Sequence, residues 1–393
     1  MRDLSLYIHI PFCRRKCLYC DFLSAPASDG EMDSYVNLLC REIKEQSILY
    51  REHRVISVFL GGGTPSLLPA ERIGEILKQI QSCFWMAEDA EITIECNPGT
   101  MTAEKLKNYI TYGINRISIG LQSTDDEELL RIGRIHDYAV FLETYRLARE
   151  AGFRNINVDL MAGLPGQSVA SYRKTLERVT ALEPEHISAY SLILEEGTEL
   201  YVNQSRYTFP TEEEDREMYR LTKEILAAAG LHRYEISNYA REGRECRHNK
   251  VYWQRGDYAG FGLGASSMAA DIRWKNPDGR EDYAACVKCM SGRTEPVSRA
   301  FFAEMLRKTG RLEVQELTEA ERMEEFMFLG LRLTAGIDPA DFRRTFGTAV
   351  EAVYGEQIAR LKAQGLLEQG GKGLRLTPWG IDVSNRVLAE FLL

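Results

Sequence analysis

The feature that most constrains the fold of this chain is the alternation of short apolar runs with amphipathic segments over its first half. Six runs rich in β-branched and apolar residues have the length of buried strands; they are 4–10, 55–60, 91–96, 116–120, 156–161 and 186–192. Segments of helical periodicity separate them, for example 34–49 and 70–83. Strands that alternate with helices predict a parallel sheet with right-handed crossovers, and six such units curl into part of a (β/α)6, TIM-like barrel.

Unusual residues stand where these predicted strands end. The first five strand ends carry, in order, a cysteine-rich loop, a Gly-Gly-Gly-Thr-Pro turn, Glu95 with Asn97, Gln122, and Asp159. Parallel α/β sheets build their sites at the carboxyl ends of the strands. We therefore expect these residues to meet on one rim of the barrel.

The alternation stops after about residue 195. A helix is predicted at 211–229, and 317–364 is helical with a break at 336–339. Two short apolar runs around Gly370 and Gly371 then predict a hairpin. We predict an α/β fold divided into a partial barrel (1–195), a connecting α+β region (196–310) and a C-terminal, mainly helical, winged-helix-like domain (311–393).

Composition limits the partners and the location of the protein. The 393 residues carry a net charge of -9 and a pI near 5.4, which argues against nucleic acid because phosphate binding needs a basic surface. We therefore interpret the winged-helix-like segment as a packing or interaction domain. No apolar stretch approaches the ~20 residues of a membrane span, so we expect a cytoplasmic, non-integral protein; transient membrane contact stays open. Nine cysteines in a reducing compartment indicate ligands or core residues.

Three of these cysteines, Cys13, Cys17 and Cys20, form a Cys-x3-Cys-x2-Cys run. This spacing lets one loop place three thiolates around an iron-sulfur cube and leaves one iron of a [4Fe-4S] cluster open. The alternative is a tetrahedral zinc site that takes a distant fourth ligand, such as His9 or Cys96.

The segments IHIPFCRRKCLYCDF and GGGTPSLL closely resemble the radical S-adenosylmethionine superfamily and, within it, the oxygen-independent coproporphyrinogen oxidase-like group. The resemblance extends from about residue 5 to at least 340. It implies that the open iron binds the amino and carboxylate groups of S-adenosylmethionine. One electron from the cluster, which a donor such as flavodoxin or ferredoxin would reduce, then cleaves the sulfonium to a 5′-deoxyadenosyl radical, while the protein orients and shields the cofactor.

The same resemblance implies an S-adenosylmethionine site made of Tyr7, Tyr19, Gly62, Gly63, Thr64, Glu95, Gln122, Arg134 and Asp159. The glycine turn would approach the methionine amino group, Glu95 would accept from that ammonium, and Arg134 would pair with the methionine carboxylate. Gln122 and Asp159 would bind the ribose. Taken singly, Glu95, Gln122 and Asp159 could each form a capping or sheet-end hydrogen bond instead. Arg134 could be a solvated surface charge.

A second motif, His-Asn-x-x-Tyr-Trp, occupies 248–253. It resembles the signature of the heme chaperone (HemW-like) branch of this group, whose members bind heme and deliver it to acceptor proteins. By that resemblance His248 would bind the heme iron, and Asn249, Tyr252 and Trp253 would contact the macrocycle. The alternative for His248 is a hydrogen-bonded structural residue.

The leading hypothesis is therefore a heme-binding and heme-transfer protein on a radical S-adenosylmethionine core, with heme-acceptor proteins as partners. The alternative is an enzyme that decarboxylates coproporphyrinogen III to protoporphyrinogen IX; a weaker third is a radical enzyme acting on heme or another tetrapyrrole. The decarboxylases carry a further cysteine where this chain has Phe22, and an extension before the cluster loop, so we expect the chaperone branch. Enzymatic activity stays open, and no residue is assigned a catalytic role.

Weaker signals lead to no further site. Cys286 and Cys289 supply half of a metal site at most, and at helical spacing they indicate packing. His136 either orients the cofactor site or caps its turn. Gly260, Gly262 and Gly264 lack the strand-to-helix context of a dinucleotide fingerprint, so we do not expect NAD.

Overall fold

A mixed sheet of twelve strands organises the computed structural model, which describes residues 1–289, 299–371 and 373–393. The strands in chain order are β1 (Arg2–Ile10), β2 (His53–Gly62), β3 (Trp85–Cys96), β4 (Arg116–Gln122), β5 (Ile156–Ala162), β6 (His186–Ser191), β7 (His232–Arg233), β8 (Asn238–Ala240), β9 (Asp257–Phe261), β10 (Ser266–Ala269), β11 (Ile272–Lys275) and β12 (Leu312–Glu316). Across the sheet they lie in the order β12-β11-β10-β9-β1-β2-β3-β4-β5-β6-β8-β7.

The six strands predicted from the first half of the sequence form the centre of this sheet. β1 to β6 are neighbours in chain order and each pair is parallel. The prediction of an α/β fold built on a partial (β/α)6 barrel is therefore confirmed. β3 begins at Trp85 rather than at 91, because Trp85 and Met86 already pair with β2, opposite Arg54 and Val55.

Sixteen α-helices lie in the described residues: α1 (Asp29–Gln46), α2 (Ala70–Cys83), α3 (Ala103–Thr111), α4 (Asp126–Arg131), α5 (Tyr138–Ala151), α6 (Val169–Thr180), α7 (Glu199–Val202), α8 (Glu212–Ala228), α9 (Arg247–Trp253), α10 (Arg280–Cys289), α11 (Arg299–Lys308), α12 (Glu319–Gly330), α13 (Pro339–Phe346), α14 (Val350–Ala363), α15 (Pro378–Asp382) and α16 (Ser384–Ala389). Short 3-10 helices occupy Ser47–Tyr50, Pro65–Leu67 and Gln204–Arg206. α1 begins earlier than the predicted residue 34 because Ser28 and Glu31 form a capping box.

Strand β1 shows how the sheet separates the core from the site. Leu4, Leu6 and Ile8 belong to the main apolar cluster and are fully buried. Ser5 and Tyr7 alternate with them, and because successive side chains point to opposite faces of a strand, these two polar residues point to the other side. There the hydroxyl of Ser5 lies 2.6 Å from that of Ser57 on β2. On β1, the side away from the main apolar cluster is therefore polar.

The sheet extends beyond β1 in a way that the sequence did not predict. β9 pairs with β1 in parallel, from Leu4 opposite Asp257 to Ile8 opposite Phe261. A Cβ atom at Gly260 in β9 would lie 2.2 Å from the carbonyl oxygen of Ser266. Only glycine allows β9 and β10 to approach so closely, which explains part of the alternating glycine series.

The C-terminal part has its own buried apolar cluster, from Met323 to Phe391. Helices α12 to α14 are followed by an antiparallel hairpin of β13 (Leu367–Gly370) and β14 (Gly373–Leu376), as predicted for a winged-helix-like module. The predicted helical run is more broken than expected, because Gly347, with φ of 71°, ends α13 as a left-handed cap.

The three-part division of the chain stays a prediction. The first apolar cluster extends from Leu4 to Leu306 and so includes side chains from both the barrel and the connecting region. Residues 290–298 of that region lie outside the described residues. Each helix in the described part is too short or too polar to cross a bilayer.

Candidate functional site

The predicted cofactor residues meet at the carboxyl ends of β1 to β5. A cavity of about 130 Å³ there is lined by all of them except Tyr7. Its lining residues are Cys13, Arg15, Lys16, Cys17, Tyr19, Cys20, Phe22, Gly62, Gly63, Thr64, Glu95, Cys96, Asn97, Ser118, Gly120, Gln122, Arg134 and Asp159. We call this cavity the rim site. The convergence expected from the strand ends is therefore observed, whereas Tyr7 lines a neighbouring cavity.

Backbone hydrogen bonds fix the cysteine loop. The amide nitrogen of Cys13 donates to the carbonyl of Ala25 at 3.1 Å, and that of Leu18 donates to Ile132 at 3.1 Å. The three thiols are half-buried, and burial raises the pKa of Cys20 to about 11. A cysteine binds metal as the thiolate, so iron binding would release the proton of the Cys20 thiol.

The zinc alternative gains no support from the residues around the loop. His9 is occupied on both ring nitrogens, by Leu23 O at 2.9 Å and Tyr7 Oη at 3.1 Å. Cys96 lines the rim site, but burial strongly raises the pKa of its thiol. Within the described part of the chain, no group of three or more His, Cys, Asp or Glu side chains is arranged to hold a single metal ion.

The glycine turn after β2 brings backbone close to the cysteine loop. Gly62 has φ of 110°, and a Cβ atom there would lie 2.6 Å from the ring of His9. A Cβ atom at Gly63 would lie 2.6 Å from the carbonyl oxygen of Phe12, just before the first cysteine. Thr64 Oγ1 lies 3.4 Å from Cys13 Sγ. Only glycine permits this approach at both positions, so the turn packs directly against the start of the cysteine loop.

The change Gly63→Ala is expected to lower the thermal midpoint by the equivalent of about 1–3 kcal/mol, because the added methyl overpacks against the backbone of Phe12. We also expect weaker S-adenosylmethionine binding in calorimetry of the reconstituted protein. Gly355→Ala in α14 is the control, since a Cβ there meets nothing within 4 Å. Equal midpoints for the two variants would show that the turn does not need its second glycine.

Two half-buried carboxyl groups, Glu95 and Asp159, line the rim site. Burial, reinforced by nearby Asp159, raises the pKa of Glu95 to about 8, although the Gly62 amide donates to Glu95 Oε2 at 3.0 Å. Burial likewise raises the pKa of Asp159, against hydrogen bonds from Asn157 at 2.7 Å and Ser118 at 3.4 Å. An ammonium group placed here would favour the ionised carboxylates. The donor set therefore matches a ligand that carries a positive amino group.

Arg134 is buried, 9% exposed, so it is not the solvated surface charge that the sequence left open. Its guanidinium donates to Asn97 Oδ1 at 2.8 Å, to the carbonyl of Gly120 and, at 3.6 Å, to Cys17 Sγ. Its Nε is buried without a hydrogen-bond partner. A buried unpaired N–H beside the cysteine loop is suited to a carboxylate.

Three neighbours of this site carry roles that the sequence did not assign. Asn97 bridges Arg134 and Thr64, to whose hydroxyl it donates at 2.8 Å. Ser118 and Asn157 donate hydrogen bonds to Asp159. Each stands two residues before a rim-site residue on its own strand, Gly120 and Asp159, and this spacing is the one signal that strand periodicity offers.

Gln122 adopts φ of 75°, a left-handed conformation at the strand end. His136 lines a small adjoining cavity with Arg134, and burial lowers its pKa to about 3.

A larger cavity of about 650 Å³ adjoins the rim site and shares Lys16 and Phe22 with it. We call it the aromatic cavity. It is lined by Tyr7, His9, Lys16, Asp21, Phe22, Leu23, Ser24, Tyr252, Tyr258, Leu263, Gly264, Ala265, Ser266, Lys275 and Asp278. Phe22 is 62% exposed, so the mouth presents a large apolar side chain to solvent. Its size is in the range of small-molecule sites.

The structure places His248 inside the protein rather than on a cavity wall. Its Nδ1 lies 3.0 Å from Ser57 Oγ and its Nε2 lies 2.9 Å from Tyr252 Oη. Its ring stacks on Phe59 at a centroid distance of 5.1 Å. Burial, with a contribution from Arg116, lowers its pKa to about 3. Because both ring nitrogens are hydrogen-bonded, this geometry favours the structural alternative, and iron binding by His248 stays a prediction.

The remaining residues of the motif separate to different surfaces. Tyr252 lines the aromatic cavity, while Trp253 lines a cleft of about 520 Å³ that it shares with C-terminal residues such as Phe326 and Ile337. The guanidinium of Arg332 lies 4.4 Å from the Trp253 ring centroid. Asn249 is half-buried on α9 and lines neither space. The short helix α9 thus stands between two cavities.

Comparison with known proteins gives matches to two family models and to whole-length relatives. Residues 7–179 match the model of the radical SAM superfamily, and 317–383 match the HemN C-terminal domain. The chain is 34% identical over 393 residues to the heme chaperone HemW of Bacillus subtilis, covering 99% of both chains. It is 40% identical over 279 residues to the heme chaperone HemW of Escherichia coli, covering 70% of this chain and 72% of that one.

A solved structure shares the whole architecture. Coproporphyrinogen III oxidase (HemN) from Escherichia coli, described as a radical SAM enzyme, superposes with a TM-score of 0.82 at 24% identity, over 100% of this chain and 90% of that one. At this identity the likeness shows the fold.

Proposed function

The chain belongs to the HemW family of radical S-adenosylmethionine proteins, and on that premise we propose that it binds heme and transfers it to acceptor proteins. Relatives named heme chaperones match essentially its whole length. The family also implies an iron-sulfur cluster and S-adenosylmethionine. We further propose a cytoplasmic location and a small electron donor such as flavodoxin or ferredoxin.

The observation that carries the proposal is the aromatic cavity next to the rim site. Heme is a flat, mostly apolar molecule with two carboxylates, and this cavity combines Tyr7, Tyr252 and Tyr258 with apolar side chains at its mouth. Lys16 is exposed there and offers a positive charge for a carboxylate. Lys275 is paired with Asp278 at 2.9 Å, so Lys16 is the more available cation.

For the rim site we propose that Cys13, Cys17 and Cys20 hold a [4Fe-4S] cluster. Glu95 would accept from the methionine ammonium, Arg134 would donate to its carboxylate, and Gln122 and Asp159 would bind the ribose. Gly62, Gly63, Thr64 and Tyr19 would shape the wall. When bound, the cluster and the sulfonium supply one-electron chemistry.

Tyr7 is better placed as a boundary between the two spaces than as a wall of the rim site alone. A Cβ atom at Gly61 would lie 3.1 Å from both Tyr7 and Glu95, so the tyrosine ring and the carboxylate are close neighbours. Burial and the nearby Glu95 raise the pKa of Tyr7 well above its usual value. We propose that its neutral phenol closes the rim site on the side of the heme.

Phe22 distinguishes this proposal from coproporphyrinogen decarboxylation. It lines both cavities at the position where the resemblance places a further cysteine in the decarboxylases. A phenyl ring can pack against a macrocycle but cannot accept or donate a proton. The position therefore favours holding a tetrapyrrole over reacting with it.

The test is an anaerobic heme titration followed by transfer. We expect saturable binding of one heme per chain, seen in the Soret band, and movement of that heme to an apo-heme protein such as apomyoglobin. In parallel, coproporphyrinogen III with reductant and S-adenosylmethionine is expected to give no vinyl product. Absence of heme binding would contradict the proposal, and stoichiometric protoporphyrinogen formation would favour the enzyme instead.

A further inference from the structure

The hydrogen bonds behind the aromatic cavity form a chain that ends at Tyr252. Ser5 Oγ lies 2.6 Å from Ser57 Oγ, which lies 3.0 Å from His248 Nδ1, and His248 Nε2 lies 2.9 Å from Tyr252 Oη. The first three side chains are buried, at 0–2% exposure, whereas Tyr252 is half-buried and lines the cavity. The chain therefore connects the barrel interior to a phenol on the cavity wall.

This arrangement can stabilise one particular form of that phenol. When the Ser57 hydroxyl donates to Nδ1, the neutral imidazole carries its proton on Nε2 and donates it to the oxygen of Tyr252. A donor aimed at a phenol oxygen favours the phenolate, because hydrogen bonding to a charged form stabilises it. Stacking on Phe59, at a centroid distance of 5.1 Å, keeps the imidazole in place.

We infer that Tyr252 supplies the protein ligand to the heme iron, and that His248 is the positioning residue that donates a hydrogen bond to its oxygen. This inference rests on the proposed heme function and goes beyond it by naming the bond to iron. Tyrosine is an established haem ligand type. The iron-binding role that the motif suggests for His248 is thus assigned to Tyr252, four residues later.

The ligation step balances without a change of oxidation state. A bond forms between ferric heme iron and the Tyr252 oxygen, the phenol O–H bond breaks, and the proton leaves to solvent through the cavity mouth. A metal ligand must be deprotonated, so the iron itself drives this loss.

The other two tyrosines of the cavity are engaged elsewhere. The hydroxyl of Tyr7 lies 3.1 Å from His9 Nδ1, and that of Tyr258 hydrogen-bonds Arg273. The ring of Tyr258 contacts that of Tyr252 edge to face at 4.7 Å. Tyr258→Phe is therefore a matched control: it removes a phenol from the same wall and leaves the proposed iron bond intact.

Resonance Raman and visible spectra of the ferric heme complex test the inference. Wild type and Tyr258→Phe are expected to show phenolate modes and a phenolate-to-iron charge-transfer band, which Tyr252→Phe loses. His248→Gln is expected to keep the phenolate modes at a shifted frequency, with heme affinity lower by about 10–100-fold, as for other partners of metal ligands. Circular dichroism confirms that each variant is folded.

If Tyr252→Phe fails to fold, Tyr252→His replaces it and should give an imidazole-ligated spectrum. An unchanged iron-ligand spectrum in either Tyr252 variant would overturn the inference, as would loss of the ligand signature in His248→Gln with its retention in Tyr252→Phe. These outcomes leave heme binding by the wild type standing. Failure of the wild type to bind heme at all would instead overturn the proposed function and this inference with it.

Discussion

Replacing Cys13, Cys17 and Cys20 together by alanine is expected to remove all of the iron and sulfide that anaerobic reconstitution places in the protein. The three thiols line one cavity, on a loop fixed by backbone hydrogen bonds. Because thiolates are the ligands of iron-sulfur clusters, their removal leaves the irons without protein bonds. Iron and sulfide analysis with the visible spectrum measures the loss, which should be essentially complete.

The control for this loss is Cys83→Ala. Cys83 is half-buried at the end of α2, where its Sγ accepts from Gln79 Nε2 at 3.0 Å, and it is not among the residues of the rim site. It should keep the wild-type iron content. A full iron complement in the triple variant, or zinc without iron in the wild type, would contradict the cluster assignment.

Glu42→Ala is expected to lower the free energy of unfolding by about 3–5 kcal/mol, because it removes one partner of a buried ion pair. Glu42 and Arg311 are both 0% exposed and 3.1 Å apart. Glu42 also accepts from Tyr283 Oη at 2.6 Å, Gly262 N at 2.7 Å and Asn276 Nδ2 at 2.8 Å. Its loss removes the carboxylate that faces the Arg311 guanidinium and the acceptor of several buried donors. Urea denaturation followed by circular dichroism measures the shift in midpoint.

An exposed pair provides the comparison. Glu224 lies 2.5 Å from Arg220 on α8, and both side chains are more than half exposed. Solvent screens such pairs, so Glu224→Ala should leave the midpoint almost unchanged. A similarly small effect for Glu42→Ala would mean that the positions of Gly262, Tyr283 and Arg311 do not depend on their polar connection to α1.

The sequence predicts well what local periodicity encodes. Apolar runs predict β1 to β6. Helical periodicity predicts α8, which begins at a capping box formed by Thr211 and Glu214. β9 escapes prediction because its five residues pair with β1 more than 240 positions earlier, and no local pattern records that pairing. The early start of β3 escapes prediction for a similar reason, since it depends on the pairing of Trp85 and Met86 with β2.

The sequence likewise predicts some features of the candidate site and not others. The cysteine spacing and the strand-end positions place the rim residues together, because a barrel brings strand ends to one face. The environment of His248 could not be predicted, because its Nδ1 is satisfied by Ser57, 191 positions away. A motif indicates which residues lie near a ligand, whereas the role of each residue depends on the hydrogen bonds that it makes in the folded protein.

The most direct test of the account is an anomalous diffraction map at the iron absorption edge, from crystals of the anaerobically reconstituted, heme-loaded protein. We predict a cluster of iron enclosed by Cys13, Cys17 and Cys20, and a single separate iron in the aromatic cavity, bonded to the Tyr252 oxygen. An empty cysteine loop, or a heme iron in the cleft beside Trp253 instead, would contradict it.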